Sequence, residues 1–322
     1  MRILLFGATE LSVLVADQLS TLGLAPVGVV YVGRSFPISY RSEGVTNSRF
    51  GDVNAWAQEH DIPSRAYGAA DDASSFAVDV GADFGLVAGW YHMVPRSLRE
   101  RFPFGCAGLH ASLLPKFRGG APLNWAMLAR ESSSGVSLFE LGDGVDDGPL
   151  YGQKAFAIGE RARIADLIAA SQSAALALVA ECLPAVADGR LAPTPQTGVP
   201  SYCLQRSPED GWVDWRCSAD DIDLLVRAVG RPYPGAFALL GSTRVFIWAA
   251  EPVPDVEIHG VAGQIARLPG HANPVVVTGR GVLAIQDATD ASGRSLMTEL
   301  VKAANQRFEV QRPPGGAVTP GP

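Results

Sequence analysis

The chain has 322 residues, of which 47% are hydrophobic and 18% are charged, so it can bury the cores of two compact domains. Its formal charge of −7 and its lack of any basic run disfavour nucleic acid as a partner, because nucleic-acid binding depends on clustered Lys and Arg side chains. The longest apolar run, residues 168–180, is interrupted by Ser and Gln and is shorter than the roughly 20 residues of a membrane span, so no membrane association is expected.

The amino terminus reads as a buried strand over residues 2–6 that turns at Gly7. A secretory signal peptide needs a longer apolar region and a small-residue cleavage site, so we expect a cytoplasmic protein. Isolated cysteines in a cytosolic chain predict buried or unused thiols, and no metal site is expected. The chain has four cysteines, none in a Cys-x-x-Cys pair or beside a histidine: Cys106, Cys182, Cys203 and Cys217.

The first half of the chain alternates short apolar runs with helix-length segments. Strands are predicted at residues 2–6, 26–32, 84–88 and 106–109, and helices at residues 11–22, 53–60 and 95–101. Continuous apolar strands are typical of a parallel sheet that is covered on both faces. The pattern therefore predicts a Rossmann-like, doubly wound α/β domain over residues 1–200, with ligands at the carboxyl ends of its strands.

The second half of the chain has a different pattern of predicted elements. A long helix over residues 166–183 is followed by a Pro- and Gly-rich stretch over residues 184–200. Short strands separated by Gly and Pro then predict a smaller, β-barrel-like domain over residues 201–312. The Pro- and Gly-rich end, residues 313–322, is predicted to be a disordered tail. The elements predicted in the smaller domain are a helix at residues 221–229 and strands at residues 237–240, 244–249, 275–277 and 281–285.

The chemistry is concentrated in a signature segment, residues 108–125, which reads GLHASLLPKFRGGAPLNW. His110 follows a buried strand directly and precedes a Pro/Arg/Gly turn and a helix, so it is expected at the carboxyl edge of the sheet. An acidic loop, residues 141–150, reads LGDGVDDGPL. Alone, such a loop is a solvated turn or a metal loop. With His110 it suggests an acid/base pair.

Both segments resemble the N10-formyltetrahydrofolate-dependent formyltransferase family, and the likeness covers nearly the whole chain. The family signature, Asn-x-His-x-Ser-Leu-Leu-Pro followed by Arg-Gly and Pro, matches from His110 through Pro122. The family's acidic element, a hydrophobic residue followed by Asp-x-Gly, matches residues 145–148. The segments RSPEDG at 206–211 and PYPGAF at 232–237 resemble the two-domain members, which are methionyl-tRNA formyltransferase and the sugar N-formyltransferases.

The resemblance implies an enzyme that transfers a formyl group from N10-formyltetrahydrofolate to an amine without a metal. It implies that His110 polarises the formyl oxygen and relays a proton, while Asp146 orients the imidazole. The folate is expected over the turn at residues 87–92 and over residues 141–144, held largely by backbone groups. The residues implied in binding it are Val87, Gly89, Trp90, Tyr91, Leu113, Leu141, Asp143 and Gly144.

One position departs from the family signature, because its catalytic Asn falls on Gly108. Residues 108 and 110 of a strand point the same way, so Asn-x-His places both side chains in one cleft. Glycine offers no side-chain donor to an oxyanion, and losing such a donor costs about 3–4 kcal/mol, or 10²–10³ in rate. An ordered water, Asn124 or Ser112 would be a substitute. Without one, the protein is slow, uses different chemistry or is a folate-binding pseudoenzyme.

The acceptor is predicted from charge. A tRNA substrate predicts a basic surface, whereas residues 206–312 hold 11 Lys or Arg and 13 Asp or Glu. Trp90-Tyr91 also resembles the sugar-modifying branch. We therefore expect a small amine acceptor, a nucleotide-linked amino sugar, with methionyl-tRNA as the alternative. Hydrolysis of formylfolate is a third reading, which usually comes with an extra regulatory domain. The sequence leaves the oligomeric state open, with a homodimer as one alternative.

Overall fold

The computed structural model describes residues 1–38 and 41–311, without the side chains of residues 41–43. The chain forms two compact units. The first consists of Met1–Ala126, Ser132–Ile158 and Ile168–Leu204, and the second of Met127–Glu131, Gly159–Leu167 and the chain from Gln205 onwards. The domain boundaries at residues 200 and 312 stay a prediction, and the predicted disordered tail lies outside the described residues.

The first unit is built on a mostly parallel sheet. Its strands are β1 (Ile3–Gly7), β2 (Gly28–Tyr31), β3 (Ser35–Ile38), β4 (Arg41–Thr46), β5 (Ser64–Ala66), β6 (Phe84–Ala88), β7 (Cys106–His110), β8 (Arg118–Gly119), β9 (Ser133–Glu140), β10 (Leu150–Ala157) and β11 (Tyr202–Cys203). The helices up to residue 204 are α1 (Glu10–Thr21), α2 (Val53–Glu59), α3 (Ala70–Asp79), α4 (Arg96–Arg99), α5 (Pro122–Leu128) and α6 (Ile164–Ala187).

The strand order of the main sheet is β10-β9-β7-β6-β1-β2-β5. The strands β5, β2, β1, β6 and β7 are parallel, and β9 is antiparallel to β7 and to β10. The chain winds outwards from β1 in both directions, so its crevice opens at the carboxyl ends of β1 and β6. Two small pairs, β3 with β4 and β8 with β11, lie outside this sheet.

Every residue of β1 is buried, because helices cover both faces of the sheet. Ile3 and Leu5 pack in one core with residues of α1, α2 and α6. Leu4 and Phe6 pack in a second core with residues of α3 and α4. A strand in this position must be apolar throughout, and the predicted doubly wound α/β architecture is confirmed.

Among the described helices, α6 is the one that is long and apolar enough to cross a membrane by length and composition. Half of its most apolar window is buried, and Ala175, Leu178 and Val179 share the core of Ile3 and Leu5. These contacts are those of a core helix. The helix continues beyond its predicted end at residue 183, because the Asp188 N–H still donates to the carbonyl of Pro184 at 3.1 Å.

The second unit is built on five antiparallel strands in the order β12-β13-β16-β15-β14. Ile222, Val226 and Val229 of its main helix pack into the core beneath this sheet. The elements of the unit are α7 (Ala219–Val229), β12 (Ala236–Leu240), β13 (Thr243–Pro252), β14 (Ile265–Ala266), β15 (Val275–Val277), β16 (Val282–Thr289) and α8 (Met297–Lys302), with a 3₁₀ turn at Pro208–Gly211.

The two end strands of this sheet are joined by a closing segment, residues 305–309. The Asn305 N–H donates to the carbonyl of Ile265 in β14 at 2.8 Å, and the Glu309 N–H donates to the carbonyl of Leu239 in β12 at 2.8 Å. The segment therefore lies between β14 and β12 and satisfies backbone groups at both edges. The predicted smaller, β-barrel-like domain is confirmed, and the structure shows that its sheet is antiparallel.

Candidate active site

The carboxyl ends of β1 and β6 are held together by Ser12 of α1. Its Oγ accepts from the Ala8 and Thr9 N–H groups at 2.9 and 3.0 Å, and it donates to the carbonyl of Ala88 at 2.6 Å. Gly89 follows with φ +62, and a Cβ there would overlap Thr9 Oγ1. Glycine is therefore required at position 89, where the two turns come closest.

Beyond Gly89 the chain enters an aromatic cluster, formed by Phe36, Tyr67, Trp90, Tyr91 and His92. The ring centroids lie 5.3 Å apart for Tyr67 and Trp90, 4.9 Å for Tyr67 and His92, and 5.0 Å for Phe36 and Tyr91. Burial lowers the pKa of His92, so its imidazole is mainly neutral at pH 7. The cluster gives the carboxyl end of β6 a broad apolar surface.

Asn47, which follows β4, ties the β3–β4 hairpin to this aromatic cluster. It is 1% exposed. Its Nδ2 donates to the carbonyl of Ala8 at 2.7 Å, and its Oδ1 accepts from the Tyr91 hydroxyl at 2.8 Å and from the Arg49 N–H at 2.9 Å. Sequence reasoning missed Asn47 and Phe36, because both lie in an insertion whose pattern predicts neither strand nor site.

Three of the residues predicted to bind the donor meet on the sheet face that α3 and α4 cover. Val87, Trp90 and Leu141 each pack there against the second core. The indole Nε1 of Trp90 is buried and has no hydrogen-bond partner in the described part of the chain. The result is an apolar surface above one buried N–H donor that has no partner in the described residues.

His110 is the last residue of β7 and is 9% exposed. Its Nε2 lies 2.8 Å from the carbonyl oxygen of Phe117, which can only accept, so this nitrogen carries a proton. Its Nδ1 faces Oδ2 of Asp146 at 3.4 Å, longer than an ordinary hydrogen bond. One ring nitrogen is therefore fixed by the backbone, while the other faces a carboxylate.

Asp146 is held in a demanding backbone conformation. Its φ of +48 lies in the left-handed region, which costs a non-glycine residue about 1–2 kcal/mol. Its Oδ2 accepts from the Gly119 N–H in β8 at 2.8 Å. The carboxylate thus faces His110 and binds Gly119, two residues of the signature segment that are nine positions apart. The predicted partners His110 and Asp146 are brought together by this arrangement.

The acidic loop runs along β7 rather than beyond its tip. The Leu141 N–H donates to the carbonyl of Cys106, at the start of β7, at 2.8 Å, whereas Asp146 faces His110 at its end. The direction follows from β9, which is antiparallel to β7 and delivers the chain to the amino end of that strand. Leu141 therefore lies against the sheet face, between the two ends of β7.

Asp143 anchors the acidic loop to α4. Its carboxylate pairs with Arg99 and, at 3.5 Å, with Arg96. The hydrogen bond from Arg99 and the charge of Arg96 lower the pKa of Asp143. Arg99 Nη1 also donates to the carbonyl of Leu141 at 2.8 Å. Gly144 lies in the same loop, where a Cβ would overlap the carboxylate of Asp147.

The described residues contain no group of three or more His, Cys, Asp or Glu side chains that could hold a metal ion. Comparison with protein families accounts for nearly the whole chain. Residues 2–182 match the formyl transferase family, and residues 206–304 match the family described as formyl transferase, C-terminal domain. The chain belongs to the formyl transferase family. The resemblance to this family, inferred from the sequence, is thereby confirmed.

Solved structures share the fold of this chain. HypX from Aquifex aeolicus in complex with tetrahydrofolic acid has a TM-score of 0.63 at 19% identity, over 95% of this chain and 48% of that one. An N-formyltransferase from Helicobacter canadensis with folinic acid and dTDP-3-aminofucose has a TM-score of 0.63 at 16% identity, over 89% and 99%. Methionyl-tRNA formyltransferase from Clostridium thermocellum has a TM-score of 0.54 at 17% identity, over 80% and 95%. This chain spans about half the length of HypX.

At Gly108, where the formyl transferase signature has Asn, the neighbouring space is filled. Gly108 pairs regularly with both adjacent strands and is not among the residues with positive φ. A Cβ there would lie 2.9 Å from Leu141 Cδ2 and 3.3 Å from Phe139 Cε1. Apolar side chains therefore occupy the room in which the sequence suggested an ordered water.

Of the other predicted site residues, Asn124 and Ser112 are buried and Leu113 is half-buried. Asn124 lies on α5 and is 4% exposed. Ser112 is 1% exposed and its Oγ donates to the carbonyl of Lys116 at 2.6 Å. Leu113 packs against β9, where a Cβ added at Gly135 would overlap it. The roles predicted for these side chains in catalysis or donor binding stay predictions.

Proposed function

We propose that this formyl transferase moves the formyl group of N10-formyltetrahydrofolate to the amine of a nucleotide-linked amino sugar. The observation that carries the proposal is the His110–Asp146 pair at the carboxyl edge of β7, beside the apolar surface at the end of β6. The family supplies the reaction class. The Helicobacter canadensis enzyme, whose structure contains folinic acid and dTDP-3-aminofucose, supports the choice of donor and acceptor.

Nδ1 of His110 is the ring nitrogen that can take up and return a proton, because Nε2 already donates to the carbonyl of Phe117. A neutral amine attacks the formyl carbon and produces a tetrahedral oxyanion and a positively charged amine nitrogen. A proton then passes from that nitrogen to His110 and from His110 to N10, so that the carbon–N10 bond breaks and releases tetrahydrofolate and a formamide. In the doubly protonated ring, Nε2 donates to Phe117 and Nδ1 points at Asp146. The carboxylate stabilises that charged form.

The donor fits the apolar surface of Val87, Trp90 and Leu141. A flat heteroaromatic ring buries well against such side chains, and its polar edge needs a few fixed hydrogen-bonding groups. The unsatisfied indole N–H of Trp90 is one donor of this kind. The backbone of Gly89 and of the acidic loop supplies others. Together these observations support the donor site predicted at residues 87–92 and 141–144.

The acceptor is inferred from charge. In residues 206–312, 11 Lys or Arg are outnumbered by 13 Asp or Glu, and this balance argues against a tRNA acceptor. The fold of methionyl-tRNA formyltransferase is shared, so methionyl-tRNA remains the alternative acceptor. A cytoplasmic location and a homodimer stay predictions.

One experiment tests the proposal. The purified protein is incubated with N10-formyltetrahydrofolate and either a panel of dTDP-linked amino sugars or initiator methionyl-tRNA, and products are measured by mass spectrometry. A gain of one formyl group on an amino sugar, with stoichiometric tetrahydrofolate, is expected. Formylation of the tRNA alone would replace the acceptor. Folinic acid binding in calorimetry without transfer to either acceptor would favour the pseudoenzyme, and no binding at millimolar ligand would contradict both.

A further inference from the structure

Gln196 lies in a part of the chain that the sequence marks only as Pro- and Gly-rich. The structure brings this part, here termed the return segment (residues 194–203), back to the active-site edge. Thr194 and Leu150 exchange two backbone hydrogen bonds of 2.7 and 2.8 Å, and β11 pairs in parallel with β8. The return segment therefore contacts both the acidic loop and the signature segment.

The amide of Gln196 joins these two elements. Its Nε2 donates to the carbonyls of Asp146 and Gly148, both at 2.8 Å. Its Oε1 accepts from Nη2 and Nε of Arg118 at 2.7 and 3.3 Å. The orientation of the amide is fixed by chemistry, since the carbonyls can only accept and the guanidinium can only donate.

These hydrogen bonds act on the atoms that place the carboxylate of Asp146. The left-handed backbone of Asp146 needs an external restraint, and its carbonyl receives one from Gln196. Arg118 precedes Gly119, whose N–H binds Asp146 Oδ2. Gln196 thus holds the backbone of Asp146 on one side and the neighbour of its hydrogen-bond donor on the other.

The return segment also supports the opposite side of the imidazole. Ser201 Oγ accepts from the Phe117 N–H at 2.9 Å, and Cys203 Sγ lies 3.3 Å from the Phe117 carbonyl oxygen. That carbonyl accepts from Nε2 of His110. Both nitrogens of the imidazole therefore face groups that residues 194–203 hold in place.

We propose that Gln196 is a positioning residue for the His110–Asp146 pair. It holds Asp146 and Arg118 together, so that the carboxylate faces Nδ1 of His110. This inference deepens the proposed function and rests on it for its kinetic test. A second measurement, independent of turnover, is the NMR titration of the His110 imidazole.

The kinetic test compares Gln196→Ala and Gln196→Glu with a matched control, Gln58→Glu, at an exposed glutamine. Glutamate keeps an acceptor for Arg118 but cannot donate to the two carbonyls. Both Gln196 variants should lose about 10- to 100-fold in kcat, because displacements of about 1 Å at a site cost that much. The KM values for donor and acceptor should stay within about twofold. A Gln196→Glu protein with the kcat of wild type would overturn the inference.

A double variant separates positioning from general stability. If Gln196 acts through Asp146, adding Gln196→Ala to Asp146→Ala should lower kcat less than about twofold further. Multiplicative losses would contradict the inference. Melting temperatures of all variants identify any that fail to fold.

The NMR titration applies even if wild type transfers no formyl group. The midpoint of the His110 signal, assigned with His110→Ala, should move in Gln196→Ala and in Gln196→Glu but not in Gln58→Glu. An unchanged midpoint would sink the positioning role alone. An inactive wild type whose midpoint responds to Gln196→Ala would sink the proposed function alone.

Discussion

The ends of β6 and β7 are neighbours in one sheet, yet they are built from opposite chemistry. At the end of β6, five rings pack against one another around Trp90 and His92. At the end of β7, His110 donates to the Phe117 carbonyl, and Asp146 accepts from the Gly119 N–H and from Gln196. Val87 and Gly108 pair directly, so the two surfaces begin side by side.

The difference shows how one sheet edge can separate binding from proton transfer. Packing against rings tolerates small displacements, because dispersion and burial are spread over many atoms. Proton transfer does not, because it needs particular atoms within hydrogen-bond reach. Substitutions at the end of β7 should therefore lower kcat, and those at the end of β6 should act on binding or stability.

The largest effect is expected for His110→Ala and Asp146→Ala. Each should lower kcat by about 10²–10⁴ with KM for the donor within a few-fold, because each removes part of the proton relay. The double variant should be little worse than the worse single one if the pair acts as a unit. Stopped assays with N10-formyltetrahydrofolate measure this. If the losses in kcat of the two single variants multiply in the double variant, or if either single variant keeps near-normal turnover, the end of β7 is not the place of proton transfer.

A smaller effect is expected at Gly108, where the two surfaces meet. Gly108→Asn should lower the melting temperature without raising kcat, because its Cβ meets Leu141 and Phe139. Gly108→Asn combined with Leu141→Ala clears the nearer contact. The combination should exceed the kcat of Leu141→Ala alone, with an upper bound of about 10²–10³, the value of one oxyanion donor. A well-folded combination with no gain would mean that this site makes no use of a donor there.

The smallest effect is expected at His92 and concerns stability. Burial lowers the pKa of His92 below its ordinary value of 6.5. The share of the free energy of unfolding that depends on the neutral imidazole is therefore fully present above about pH 6.5. That share is lost as the pH falls from 6.5 through the folded-state pKa. His92→Phe should therefore show a weaker decline in melting temperature between pH 7 and 5 than wild type, with kcat at pH 7.5 within about twofold. Parallel declines would mean that His92 is not the group that responds.

The sequence predicts the buried strands best, because their short, continuous apolar runs are typical of strands in the middle of a covered sheet. The strands at residues 84–88 and 275–277 are found with the predicted bounds. The exposed, polar β5 and the Ser- and Asp-rich α3 lack such runs and were missed. The β3–β4 hairpin was missed too, because its residues alternate too little to predict strands.

The residues of the candidate site also fall into two groups, those that local motifs predict and those that they do not. His110 and Asp146 were predicted from local motifs, and the structure places them together. Gln196, Asn47 and the Phe117 carbonyl were not, because each acts across a distance in the chain that no local pattern records. The Gln196 contacts span 50 and 78 positions in the chain. Phe117 contributes through its backbone carbonyl, and a motif of side-chain types does not record such a contact.

The closing segment of the second unit bears on how the protein is expressed. The C-terminal family match stops at residue 304, one position before residues 305–309 begin. A chain trimmed to that match would expose the unpaired backbone of β12 and β14, and exposed strand edges promote association between chains. Expression vectors should therefore extend past Glu309, and affinity tags belong beyond it.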